Sequence, residues 1–113
     1  MPDRDEIMGR CIADLKNLGH EDLDVTLLDR LVEENMPEIL DRGERVVASS
    51  DGDELRRVKN DFLIGRLGMP DGDSLMGAIQ KAIREYGHDN TYKLRPVVHY
   101  LLVKDLGKED AFA

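Results

Sequence analysis

One cysteine, Cys11, stands in a chain of 113 residues. A lone thiol cannot close an internal disulfide, so the fold has to be held by its apolar core, and a reducing, cytoplasmic compartment is the expected setting. No apolar run approaches the roughly 18 residues of a membrane span, so no membrane partner is expected. The opening Met1-Pro2-Asp3-Arg4-Asp5-Glu6 lacks the basic start and apolar stretch of a signal peptide, and none is expected. There is no glycine-rich phosphate loop, no Gly-x-Ser-x-Gly elbow and no His-Glu-x-x-His pair. No catalytic residue, cofactor or metal is therefore assigned. Bases are short as well: 16 Lys and Arg face 24 Asp and Glu, a net charge of −8. The imbalance is uneven, since residues 1–50 hold 13 acidic and 6 basic side chains while residues 51–104 hold 8 and 9. A protein that binds nucleic acid through its backbone normally shows the opposite balance, so no nucleic-acid partner is expected. An acidic half keeps a small protein soluble, and it can also meet a basic partner or the more basic half of a second copy.

What the chain does contain is helix punctuation. Asn17-Leu18-Gly19, Arg66-Leu67-Gly68, Tyr86-Gly87 and Asp105-Leu106-Gly107 each close a stretch whose apolar residues recur at helical spacing. Glycine suits the residue just past a helix end because the left-handed turn there is unfavourable for a residue with a Cβ. The length is enough for one domain, 1–113, burying about 65% of the surface its unfolded form exposes.

Helix one is expected over about Asp3 to Leu18, with Ile7, Met8, Cys11, Ile12, Leu15 and Leu18 on one face. Cys11, inside that stripe, reads as a small buried hydrophobe. Asp24 should cap helix two, whose stripe of Val25, Leu28, Leu31, Val32 and Met36 precedes a disruption at Pro37. The segment 37–50 reads as a short turn around Ile39 and Leu40, a break at Asp41-Arg42-Gly43, and a connection anchored by Val46 and Val47. Asp51 and Glu54 form a capping-box-like start for helix three, which is charged over Asp53 to Asp61 and apolar over Phe62 to Leu67. That apolar half is expected at the centre of the domain, with Gly65 admitting a neighbouring helix. Asp71 or Asp73 should cap helix four, with Leu75, Ile79, Ala82, Ile83 and Tyr86 buried. The run from Val97 to Val103 suits either a buried helix or a buried strand, and Gly107 favours helix, with Pro96 in its first turn.

Asp51-Gly52-Asp53 and Asp71-Gly72-Asp73 do not meet the geometry of a calcium loop, because glycine comes second and Leu55 or Leu75 stands where a ligand is needed. Of three scattered histidines, His20 reads as solvated and His99 as a hydrogen-bonded core residue. His88 lies in a polar connection where general bases can sit. Two weak clusters remain. Arg56, Arg57, Lys59 and Arg66 form a candidate interaction surface, and Tyr86, His88, Asp89, Asn90, Tyr92 and Lys93 form a candidate ligand site.

The string Leu55-Arg56-Arg57-Val58-Lys59-Asn60, continuing through Phe62-Leu63-Ile64 and Leu67-Gly68 to Tyr100-Leu101-Leu102-Val103-Lys104, resembles a family of short bacterial proteins classed as a domain of unknown function. The resemblance is strongest over Asp51 to Lys104, and Pro96 departs from the pattern. It implies a compact, helical, bacterial cytoplasmic protein and brings no catalytic residue with it. The combined expectation is an all-α, compact single-domain bundle of about five helices, acting as a non-catalytic protein-interaction or regulatory module, with a partner protein or a second copy of itself as a homodimer. The alternative is a small-ligand or enzymatic protein with its site around residues 86–93.

Overall fold

The computed structural model describes residues 3–42, 45–46, 52–87 and 93–112. Among them five α-helices run in order: α1 (Arg4–Asn17), α2 (Val25–Arg42), α3 (Gly52–Arg57), α4 (Asp73–Tyr86) and α5 (Arg95–Leu106). The third continues directly into a π-helical segment (Val58–Arg66), and a 3₁₀ turn (Glu109–Phe112) follows α5. Two short strands, β1 (Arg45–Val46) and β2 (Lys93–Leu94), pair antiparallel just before α5, with Arg45 opposite Leu94. The expected all-α bundle is what the chain forms.

All four stop glycines take positive φ: Gly19 at 94°, Gly68 at 70°, Gly87 at 110° and Gly107 at 65°. Behind two of them the chain closes the helix with a backward bond, His20 N donating to Leu15 O and Lys108 N to Val103 O, each at 3.0 Å. Such bonds satisfy carbonyls that a helix end otherwise leaves open. At the other end of α2, Asp24 Oδ1 accepts from Leu27 N at 3.0 Å, the expected cap. The stripes hold too: Ile7, Cys11 and Leu15 are buried on α1, and Leu75, Ile79, Ala82, Ile83 and Tyr86 on α4.

The centre of the molecule is α5. Every residue from Arg95 to Val103 is buried, as expected for a helix that is apolar all round. Helices α2 and α4 make its largest contacts, and α1 closes another side. Two tyrosine hydroxyls tie this packing to the backbone. Tyr100 accepts from Asp24 N at 3.0 Å, and Tyr86 accepts from Leu94 N at 3.0 Å while donating to the Asp14 carboxylate.

Several expectations are corrected. Pro37 does not end α2, which continues to Arg42 with Pro37 inside it; burial of Leu31, Val32 and Ile39 along the same helix outweighs the lost backbone donor. Val25, placed in the apolar stripe, is 52% exposed in the first turn. Neither Asp71 nor Asp73 caps helix four: its N-cap is Gly72, with no side-chain cap bond, and Asp73 is already its first residue, while Asp71 pairs with Lys59 at 3.3 Å. The apolar half of helix three is only partly enclosed: Phe62 and Leu63 are buried, but Ile64 and Leu67 are half-buried and Gly65 is exposed. A Cβ on Gly65 would meet the carbonyl of Asn60 in its own segment at 3.1 Å, not a neighbouring helix. His20 is half-buried, edge-on to the Tyr100 ring at 6.3 Å. Asp51, Val47 and the side chains of Val46 and Glu54 lie outside the described residues.

Candidate functional site

A cleft of about 190 Å³ opens between α2, the π-helical segment and the first turns of α5. From α2 come Glu34, Asn35 and Glu38, one face of a regular helix. From the end of α3 and the π segment come Arg57, Val58, Asp61, Phe62 and Arg66, and from α5 come Arg95 and His99, one turn apart. The π winding decides the second group. At 3.6 residues per turn, positions 57 and 66 would fall on opposite sides of a helix. Bonds running from i to i−5, such as Leu67 N to Phe62 O at 2.9 Å, widen the turn and keep residues spaced by four or five on one side.

At the cleft floor His99 is only 7% exposed. Its ring stacks on Phe62 with centroids 3.8 Å apart and planes 11° from parallel. The Asn35 amide nitrogen lies 2.7 Å from Leu31 O and 3.1 Å from His99 Nδ1. Because that nitrogen donates to the carbonyl, it is an NH₂, and its second hydrogen makes Nδ1 an acceptor. The proton of the neutral ring therefore sits on Nε2, for which no described group serves as acceptor. Burial, aided by the nearby Arg95 charge, pushes the imidazole pKa down to about 3, so the ring stays neutral.

The arginines differ in what they meet. Arg66 grips Glu34 with two bonds, 2.7 and 2.9 Å, donates to Ala111 O at 3.0 Å, and lies 4.3 Å over the Phe112 ring. Its hydrogen bonds to Glu34 hold its pKa above the usual value. This clamp fixes the 3₁₀ turn against the cleft rim. Arg95 is 3% exposed and approaches Glu38 at 3.4 Å, longer than the roughly 2.8 Å of a strong charge-assisted bond. Arg57 and Asp61 are exposed at the rim.

The family profile of DUF2853, described as a protein of unknown function, matches residues 10–110. The chain belongs to the DUF2853 family. Every residue lining the cleft falls inside that span. No curated protein sequence matches the chain.

In this DUF2853 chain the expected basic surface is divided. Arg57 and Arg66 line the cleft, Arg56 is exposed outside it, and Lys59 is half-buried and paired with Asp71. Of the other candidate set, Tyr86 and Lys93 are buried, while His88, Asp89, Asn90 and Tyr92 lie outside the described residues. Burial raises the Tyr86 pKa, with the Asp14 hydrogen bond second, and burial lowers that of Lys93. Among the described residues no group of three or more His, Cys, Asp or Glu is placed to hold a metal. Among the described residues no helix is long and apolar enough to cross a membrane. Sequence reasoning missed Asn35 and Arg95. Their signal was present: Asn35 stands one turn after Leu31 on the apolar face of α2, and Arg95 adjoins a nearly continuous apolar run.

Proposed function

We propose that this protein is a non-catalytic regulatory module that binds a small ligand in the cleft between α2, the π segment and α5. The supporting observation is His99, buried beneath the cleft in a single neutral tautomer with its Nε2–H unmatched by any described group. That nitrogen is not sealed from solvent, and His99 lines the cleft, so a ligand acceptor can take the place of water on it. The same features favour binding over acid–base chemistry. An imidazole with a pKa near 3 is a poor proton acceptor at neutral pH. Arginine does not titrate in the working range, and Glu34 is engaged by Arg66. A preformed, stacked floor with fixed donors suits recognition.

Thermal denaturation of the purified protein against small metabolites grouped by charge tests the reading. A ligand at a hundred times its Kd adds about 2.7 kcal/mol of stability, a rise in Tm on the order of 10 °C for a domain of this size. The expected outcome is stabilisation by one chemical group of compounds, reduced in Arg57→Gln, whose exposed side chain lines the cleft. If no compound stabilises the protein, the small-ligand reading fails and a protein partner takes its place.

A further inference from the structure

The geometry points to an uncharged amide as the group that the cleft receives, its carbonyl oxygen on His99 Nε2–H and its N–H on Asn35 Oδ1. The inference rests on the reading of the cleft as a ligand site and specifies its chemistry.

Asn35 sets both halves of this pair. Its amide nitrogen gives one hydrogen to Leu31 O and the other to His99 Nδ1, and the flipped amide would set two oxygens against each other across the 2.7 Å contact with Leu31. What remains is one acceptor, Asn35 Oδ1, and one donor, His99 Nε2–H. Neither has a partner among the described residues and neither is sealed from solvent, so both are open to the cleft that their residues line. The bond between the two side chains holds donor and acceptor at a fixed separation. An amide carries the complement of that pair, an acceptor and a donor on neighbouring heavy atoms. Phe62 and Val58 offer apolar surface to the rest of a small molecule.

The rest of the lining favours neither sign of charge. Glu34, Glu38 and Asp61 stand with Arg57, Arg66 and Arg95, and Glu34 pairs with Arg66 and Glu38 with Arg95. The two groups open at the floor are neutral, because burial and Arg95 hold the His99 ring unprotonated. A single charge brought there, of either sign, would lose its water without gaining an ionic partner. A purely apolar molecule would take water from His99 and Asn35 and return no hydrogen bond. A ketone answers His99 but leaves Asn35 Oδ1 unmatched. Oδ1 and Nε2 are each set back from the bonded nitrogens, themselves 3.1 Å apart, so two neighbouring atoms span them better than the single oxygen of an alcohol.

The test uses the full chain at neutral pH and constant ionic strength with five probes of similar size: propionamide, butanone, sec-butanol, propionate and propylammonium. The His99 Nε2 shift, the Asn35 side-chain amide signals and the backbone amides of residues 34–38 and 95–99 are followed by NMR. A five-atom fragment is expected to bind with a Kd on the order of 1 to 10 mM, so titration to about 100 mM approaches saturation. The expected result is saturable movement of His99 Nε2 and the Asn35 amide with propionamide, about tenfold tighter than with any other probe. His99→Phe keeps an aromatic ring against Phe62 and removes the donor, and it should weaken propionamide by about tenfold. Butanone or sec-butanol binding as tightly as propionamide overturns the amide assignment and leaves the binding site standing. Propionate or propylammonium binding as tightly does the same. Propionamide binding unchanged in a folded His99→Phe places the amide elsewhere and overturns the assignment. If that variant does not fold, butanone against propionamide on the native chain decides. No cleft shift with any probe overturns both this inference and the small-ligand reading.

Discussion

His99 exchanges solvation for position. In the unfolded chain an imidazole titrates near its ordinary value of 6.5, whereas in the fold burial and Arg95 hold it neutral down to about pH 3. Between those values the unfolded state binds one more proton than the folded state, so stability is full above pH 6.5 and falls as pH drops through the window. The full slope is about 1.4 kcal/mol per pH unit. The groups around the ring are Arg95 on its own helix, Asn35, Glu34 and Glu38 on α2, and Arg57, Asp61 and Arg66 on the third helix. Urea melts should therefore show that lowering the pH from 6.5 to about 5 removes about 1.6 kcal/mol more from the native protein than from His99→Gln. Equal losses in the two proteins would mean that His99 gains its proton in the fold. That His99 is a hydrogen-bonded core residue was legible from its apolar neighbours. Its partner was not, because Asn35 lies 64 positions away and no local pattern links them.

The third helix is where winding and composition part company. Glycine inside an exposed helix is less stable than alanine by roughly 0.5 to 1 kcal/mol. Gly9 in α1 and Gly77 in α4 have open space where a Cβ would stand, whereas Gly65 has the Asn60 carbonyl at 3.1 Å. Gly9→Ala and Gly77→Ala should each raise stability by about 0.5 to 1 kcal/mol in denaturant melts. Gly65→Ala should give no gain, and a full gain there would show that the π turn relaxes to α at little cost. The apolar run Phe62-Leu63-Ile64 reads as a helix buried all round, yet Ile64 is half-buried and Gly65 exposed. Apolar content along a chain reports which residues favour burial. It does not report whether the turns close at i−4 or i−5, and that choice sets which of them face inward.

Taken over its whole surface, the molecule joins many of its bases to its own acids. Arg4 bonds to Asp29 and Glu33, Lys81 bridges Glu85 and Asp105, Lys59 meets Asp71 and Arg66 meets Glu34. Compensated bases within a net charge of −8 leave little to neutralise phosphates. Mixed-sequence DNA and RNA oligonucleotides should show no binding by fluorescence anisotropy at about 150 mM salt, and weak binding at low salt should vanish steeply as salt rises. Micromolar affinity at physiological salt would instead mark the exposed Arg56 and Arg57 as a nucleic-acid contact. The helical class, the four glycine-ended helices, the Asp24 cap and the buried stripe of α4 were determined by the sequence alone. Each rests on one residue's φ or on a period of 3.6 that neighbours along the chain carry. The central place of α5, the passage of α2 through Pro37 and the π winding that turns Arg57 and Arg66 to one side were decided only by tertiary packing. Local preferences at those positions are worth about a kilocalorie or a few per residue, and burial of several side chains together outweighs them. The cleft belongs to the same class, since its floor and walls come from segments 34–38, 57–66 and 95–99, brought together only when the core closes.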